Sequence, residues 1–224
     1  MKIKILEELI LEGRVRIPKQ CKGWVVVPYI DQKDEFARNW LEDRFYEAGY
    51  GTFQVELLSF DEKKITENRL NLELLSDRLT EAVNYLTDSD FYIPGDLVLF
   101  GYDVSGAAAL VSAYEASSAW PLLSVITVNG RADLVRKLYL EGVHIPVLFI
   151  VESTNKELVA LNQLAENSLD NVKLVFIEGK DQIHFHEKEL EQVKEAIFSW
   201  LSELTSRPSR SLKKSLDPGG AHAP

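Results

Sequence analysis

The residues that could do chemistry gather in one stretch, Leu97-Val98-Leu99-Phe100-Gly101-Tyr102-Asp103-Val104-Ser105-Gly106-Ala107-Ala108-Ala109-Leu110. An apolar run, a tight turn and a run of small residues read as a buried strand, a sharp corner and a helix. A corner of this kind is the frame of a nucleophile elbow, in which G-x-S-x-G lifts a serine to where it can attack a carbonyl. Here Asp103 holds the apex, and Ser105 stands where the second glycine is expected. Asp103 is then either a carboxylate nucleophile or a cap that accepts the free N–H groups of the next helix. Ser105 is a nucleophile only if the turn shifts to bring it to the apex; otherwise it caps the same helix.

Either nucleophile needs a base. His184 and His186, in His184-Phe185-His186-Glu187, would share one face of an extended segment, and His184 is the histidine best placed to reach the corner. A histidine pair can also open a metal site. No third ligand follows at a recognisable spacing, so no metal and no cofactor are expected. His144 precedes a strand and His222 lies near the C-terminal residue, and neither suggests a role. Tyr29 and Tyr102 fall at predicted strand ends, where open α/β sheets hold ligands, and would line a pocket or plug it.

The elements that must position these groups follow from the hydrophobic pattern. Two short strands read over 1–18, with Ile3 and Ile5, then Val15 and Ile17, alternating with charged residues. Trp24-Val25-Val26-Val27 is a continuous apolar run, as in a strand buried on both faces. A helix is expected over 34–48, with Phe36, Trp40 and Phe45 at helical spacing, then a strand over 52–58. Leu72, Leu75, Leu79, Ala82, Val83 and Leu86 mark an amphipathic helix over 70–86. The strand at 96–101 and a helix from 106 to 116 frame the corner. Further strands read over 122–128, 147–151 and 172–177, with helices over 157–167 and 187–204. Alternating strands and helices imply βαβ units and a parallel sheet with right-handed crossovers. Trp24, Trp40, Phe45 and Trp200 fall at core spacings.

Composition narrows the function classes. The chain has 224 residues, is 46% hydrophobic and 27% charged, and suits one globular domain. Its net charge is -10, from 25 basic and 35 acidic residues, which argues against nucleic acid as a partner. Cys21 is the single cysteine, so no internal disulfide is expected. No segment approaches the roughly 18 apolar residues of a membrane span, and the first ten residues lack the pattern of a signal peptide. A cytoplasmic protein with no membrane partner is expected. Residues 206–224 carry Pro208, Pro218, Gly219 and Gly220 with Arg207, Arg210, Lys213 and Lys214, and read as a disordered basic tail behind a domain over 1–205.

Four strings in this order resemble the α/β-hydrolases, closest to small dienelactone-hydrolase-like proteins. They are the corner with its Ala-rich helix, Asn129-Gly130-Arg131-Ala132-Asp133-Leu134, Ile145-Pro146-Val147-Leu148-Phe149-Ile150-Val151, and Glu178-Gly179-Lys180-Asp181. The resemblance spans 15–204 and implies a three-layer α/β-hydrolase fold, a mostly parallel sheet with helices on both faces. It also implies a nucleophile, an acid and a histidine in that chain order. The nucleophile slot is Asp103. The acid slot falls near Asn155, flanked by Glu152 and Glu157. The histidine slot falls at Gln182 without a gap, or at His184 if the loop is longer. The oxyanion loop reads Pro28-Tyr29-Ile30-Asp31-Gln32, where Pro28 has no N–H to donate and Asp31 adds negative charge.

The substituted slots lead to a protein without serine-esterase activity that binds a small-molecule ligand or a protein partner. Its pocket would be built from Gly101, Tyr102, Val104, Ser105, Tyr29, Asn155 and Gln182. The alternative is an active hydrolase. Asp103, or Ser105, attacks a small ester, epoxide or halide, His184 acts as base, and Glu152 or Asp181 orients the imidazole. Asp103 then resembles the nucleophile of haloalkane dehalogenases and epoxide hydrolases.

Overall fold

The computed structural model describes residues 2–4 (backbone), 10–31, 35–116, 118–179 and 186–206. Eight strands form one sheet: β1 (Lys2–Lys4), β2 (Ile10–Arg16), β3 (Gly23–Tyr29), β4 (Gly51–Glu56), β5 (Asp96–Tyr102), β6 (Leu122–Val128), β7 (Val147–Glu152) and β8 (Val172–Ile177). Their spatial order is β1-β2-β4-β3-β5-β6-β7-β8. From β4 to β8 every neighbouring pair is parallel, whereas β1 with β2 and β2 with β4 are antiparallel. Among the described residues six α-helices accompany it: α1 (Glu35–Glu47), α2 (Leu72–Thr87), α3 (Asp103–Glu115), α4 (Lys137–Glu141), α5 (Lys156–Glu166) and α6 (Glu187–Ser206).

Strand geometry divides the core into two layers. Successive side chains point to opposite faces. Trp24 and Val26 therefore pack with Phe53, Leu97 and Leu99 beneath α2 and α3, while Val25 and Val27 pack with Val98 and Phe100 beneath α1 and α6. This is the three-layer arrangement expected, with β-branched residues filling a strand buried on both faces. The Trp200 indole donates to Ser124 Oγ at 2.9 Å, and that hydroxyl donates to the Pro146 carbonyl at 2.9 Å, so the buried ring keeps a polar partner.

Two expected helix bounds need correction, one aromatic of the expected spacing faces outward, and one helix was not expected. Phe36 is 63% exposed, because the buried stripe of α1 is Ala37, Leu41 and Phe45. Helix α3 starts at Asp103 rather than Gly106, since the turn passes into it without a linker. The short α4 had no periodicity to announce it. Helix α6 runs through Ser206. The rest of the expected tail, from Arg207 onward, lies outside the described residues, as do Asp181, Gln182 and His184.

Candidate functional site

The sheet order opens a crevice. The chain leaves β3 towards β4 through α1 on one face, and leaves β5 towards β6 through α3 on the other. Loops that diverge from adjacent parallel strands leave a gap at their carboxyl ends, where open α/β sheets bind ligands. A cleft of about 250 Å³ lies there. Tyr29, Ile30 and Asp31 line it from the end of β3, and Tyr102, Asp103, Val104 and Ser105 from the corner after β5. Arg38 of α1 and Arg69 and Leu70 of a 3-10 turn, Thr66–Leu70, complete the wall.

The corner is tightly built. Asp103 has φ 46, in the left-handed region that aspartate tolerates better than most residues. A Cβ at Gly101 would lie 2.6 Å from the Gly106 nitrogen, so only glycine lets strand and helix approach this closely. Buried Ala107, Ala108 and Ala109 then bring α3 close to the sheet. The Asp103 side chain is exposed, and its carbonyl accepts the Arg131 N–H at 3.1 Å. Ser105 is 3% exposed. Its hydroxyl donates to the Tyr102 carbonyl at 2.8 Å and accepts the Tyr102 N–H at 3.0 Å. That pair of bonds turns Oγ back onto the backbone at the start of the helix.

The acids and amides further along are laced together. Asn129, the second non-glycine residue with positive φ at 49, uses Oδ1 to accept the Glu152 N–H at 2.9 Å. Glu152 is buried at the end of β7, and its Cδ lies 2.8 Å from where a Cβ at Gly179 would sit. Asn155 is exposed and caps α5, its Oδ1 accepting the Leu158 N–H at 3.0 Å. Glu152, not Asn155, is thus the buried acid-bearing position of this turn. Arg131 is gripped by Asp133 through two bonds of 2.8 Å. That hydrogen-bonded grip raises the Arg131 pKa against the cost of burial, and the charges of Asp133, Asp103 and Glu157 add to it.

The structure brings Tyr29, Tyr102, Asp103, Val104 and Ser105 to one cleft. Among the described histidines, His186 is exposed with its backbone N–H on Glu189 Oε2 at 3.1 Å, and His144 is exposed beside Asp170. No three His, Cys, Asp or Glu side chains cluster as a metal site among the described residues. No helix among them is long and apolar enough to cross a membrane.

Two arginines of the cleft escaped sequence reasoning. Arg38, a charged residue on α1 that the sequence did not single out, is 4% exposed. Its guanidinium lies 3.9 Å from the Tyr29 ring centroid, and its Nε donates to Gln54 Oε1 at 3.2 Å. Arg69 sits in a segment without periodicity, and its Nη1 donates to Asp31 Oδ2 at 2.6 Å. The only signal for Arg38 was its place one turn into a helix that follows a buried strand.

Comparison with known proteins agrees with this architecture. No family profile matches the chain. A Mycobacterium tuberculosis protein named "Putative phosphoribosyl transferase" is 25% identical over 202 residues, which cover 89% of this chain and 45% of that protein. The chain thus spans about half the length of the curated relatives it matches. Among solved structures, a dienelactone hydrolase from Anabaena variabilis superposes with a TM-score of 0.81 at 25% identity, covering 91% of this chain and 95% of that one. Est1E from Butyrivibrio proteoclasticus gives 0.73 at 15% identity, covering 92% and 99%. Alpha/beta hydrolase domain-containing protein 10 from mouse gives 0.67 at 11% identity, covering 91% and 98%. The chain has the α/β-hydrolase fold and resembles the dienelactone hydrolases.

Proposed function

We propose that this chain is a ligand-binding relative of the dienelactone hydrolases that has lost serine-ester chemistry, with the cleft at Asp103 as its binding site. The observation that carries this reading is the state of Ser105. Its hydroxyl is buried and hydrogen-bonded in both directions to the Tyr102 backbone. A serine nucleophile needs its oxygen aimed at the substrate and its proton offered to a base. The turn has no other hydroxyl at its apex, and Pro28 and Asp31 disfavour an oxyanion on the β3 side. The transferase named for the M. tuberculosis relatives belongs to proteins more than twice as long as the matched region, and it is not extended to this chain.

The exposed carboxylate at the apex favours a second reading. Asp103 attacks an sp3 carbon of a small epoxide, halide or ester, opening the ring or expelling halide or carboxylate; His184 activates the water that cleaves the resulting alkyl ester and frees Asp103, and Glu152 or Asp181 orients the imidazole. One experiment separates the two. Wild type, Asp103→Ala and Ser105→Ala are assayed with p-nitrophenyl acetate, an aryl epoxide and a bromoalkane, with intact-mass analysis for a covalent adduct. On the binding reading all three proteins match the buffer rate and no adduct forms. Turnover that disappears in Asp103→Ala while the fold survives overturns it in favour of the carboxylate nucleophile. Turnover that disappears only in Ser105→Ala restores the serine.

A further inference from the structure

The two edges of the sheet are finished differently. β1 closes one of them with three residues, of which Lys2 and Lys4 are charged. A short, lysine-bearing strand of this kind keeps other chains from pairing. β8 forms the other edge and has β7 as its one strand neighbour. Asn171 and Ile177 turn their carbonyls to β7, accepting the N–H of Val147 at 2.8 Å and of Ser153 at 2.9 Å. Successive residues of a strand turn their backbone groups to opposite sides, so Val172, Leu174 and Phe176 point theirs away from the sheet. At the next outward position, Glu178, the Gln192 side chain takes the place of a neighbouring strand. Its Oε1 accepts the Glu178 N–H at 3.0 Å, and its Nε2 donates to the Glu178 carbonyl at 3.3 Å. Among the described residues nothing does the same for Val172, Leu174 or Phe176.

The strand lacks the devices that protect an edge. It has no proline, its register with β7 runs without a bulge, and Phe176 is 47% exposed. Its one charge, Lys173, is folded back onto α6, with Nζ 2.7 Å from Glu203 Oε1 and 5.8 Å from the Trp200 ring centroid. The edge is thus apolar and locally neutral in a chain whose net charge is -10.

We infer that β8 is a pairing edge for a second copy of this chain: two β8 strands meet antiparallel about a two-fold axis at Leu174 and join the two sheets into one. The outward positions Val172, Leu174 and Phe176 are symmetric about Leu174, so a strand laid against itself uses all of them. Leu174 then faces Leu174 of the second copy, and Val172 faces its Phe176, an aromatic on a β-branched neighbour. About six backbone hydrogen bonds join the copies. These side chains lie on the α5 side of the sheet, where Val172 and Leu174 pack against the core that holds Ala165 and Leu169. A shift of two residues either way sets Phe176 against Asp170, or Val172 against Glu178, whose backbone Gln192 already holds. In the symmetric register Asp170 and Glu178 of the two copies approach beyond the paired residues. Each is beside a basic residue of its own, His144 at 3.3 Å and Lys188 at 3.4 Å. Apolar burial and strand pairing, rather than charge attraction, therefore supply the association. The strip is narrow and falls at the small end of specific interfaces, so the dimer should form at about 10–100 μM rather than be obligate. Segment 207–224 fits this edge poorly. β8 carries no acid to meet its Arg207, Arg210, Lys213 and Lys214, and Pro208 has no N–H to donate.

The test is sedimentation velocity of the whole chain from about 5 to 500 μM, with disulfide trapping on a Cys21→Ser background. Wild type should pass from monomer to dimer across this range, and should do so equally in about 0.5 M salt. Phe176→Lys should raise the dissociation constant roughly tenfold or more. Phe176→Pro, which removes an outward N–H without breaking a bond to β7, should do the same, and circular dichroism checks that both variants are folded. Leu174→Cys should give a covalent dimer on oxidation, because opposed residues at such a position have Cα atoms about 5.5 Å apart, whereas Val172→Cys should not. A chain that stays monomeric throughout, association that neither Phe176 variant weakens, or trapping through Val172→Cys instead of Leu174→Cys overturns the inference. Association lost in about 0.5 M salt overturns it in favour of contacts made by the basic segment 207–224.

Discussion

Two clusters of arginine and carboxylate, one on α1 and one in the cleft, differ mainly in how deeply the carboxylate is buried. On α1, Glu42 is 1% exposed and is held by Arg14 and Arg16 from β2 and by the Thr52 hydroxyl of β4 at 2.9 Å. In the cleft, Arg69 and Asp31 make a pair of similar geometry with more than a third of each side chain in water. The Glu42 cluster fastens α1 to the sheet, and its buried carboxylate cannot lose its partners without a large desolvation cost, although the arginines themselves reach water. The open pair can part and reform. The same pairing thus serves as a fastening where the carboxylate is buried and as an exchangeable contact where the carboxylate meets water.

Breaking the Glu42 cluster should have the largest effect. Arg14→Ala with Arg16→Ala strands the Glu42 carboxylate and should cost about 3–5 kcal/mol in urea unfolding. Glu42→Ala should cost less, about 2 kcal/mol, because the arginines it leaves are 49% and 33% exposed and can turn to water. Equal losses in the two variants would mean that burial does not set the asymmetry. An intermediate case is Asp133, whose carboxyl the Arg131 guanidinium holds below the usual carboxylate range against the opposing effect of burial. A depressed folded-state pKa stabilises above the unfolded value of about 3.9, and that stability is lost as pH falls through the lower folded value. Asp133→Asn should therefore cost about 0.5–1 kcal/mol at neutral pH and progressively less in acid. A penalty that stays constant with pH would contradict the ionic origin. At the open end, Asp31→Ala should move stability by less than about 0.5 kcal/mol in the same unfolding measurement. A larger loss would make the cleft pair a fastening too.

The fold was legible in the sequence because its strands are long apolar runs and its main helices keep their periodicity. Trp24 to Val27 could belong only to a strand covered on both sides, and Leu75, Leu79, Ala82, Val83 and Leu86 gave α2 its buried face. The corner was legible because Gly101, Asp103 and the alanines after it satisfy a local steric demand. The cleft's charged wall was not. Arg69 reaches Asp31 only because the segment after β4 folds back over the sheet edge, and nothing local to either residue records that crossing. Phe36 misled for the complementary reason, since helical spacing alone does not say which of two adjacent stripes meets the sheet. Ser105 could not be assigned as cap or nucleophile until the path of the turn was known.

The left-handed backbone at Asp103 also bears on how the corner can change over generations. Aspartate and serine codons are not a single base apart, and the two-base routes from aspartate to the AGY codons of serine pass through asparagine or glycine. Those are the residues that accept a positive φ most readily. The intermediates on that route keep the corner intact while its chemistry is absent, so a carboxylate apex and a hydroxyl apex are mutational neighbours without an unfolded form between them.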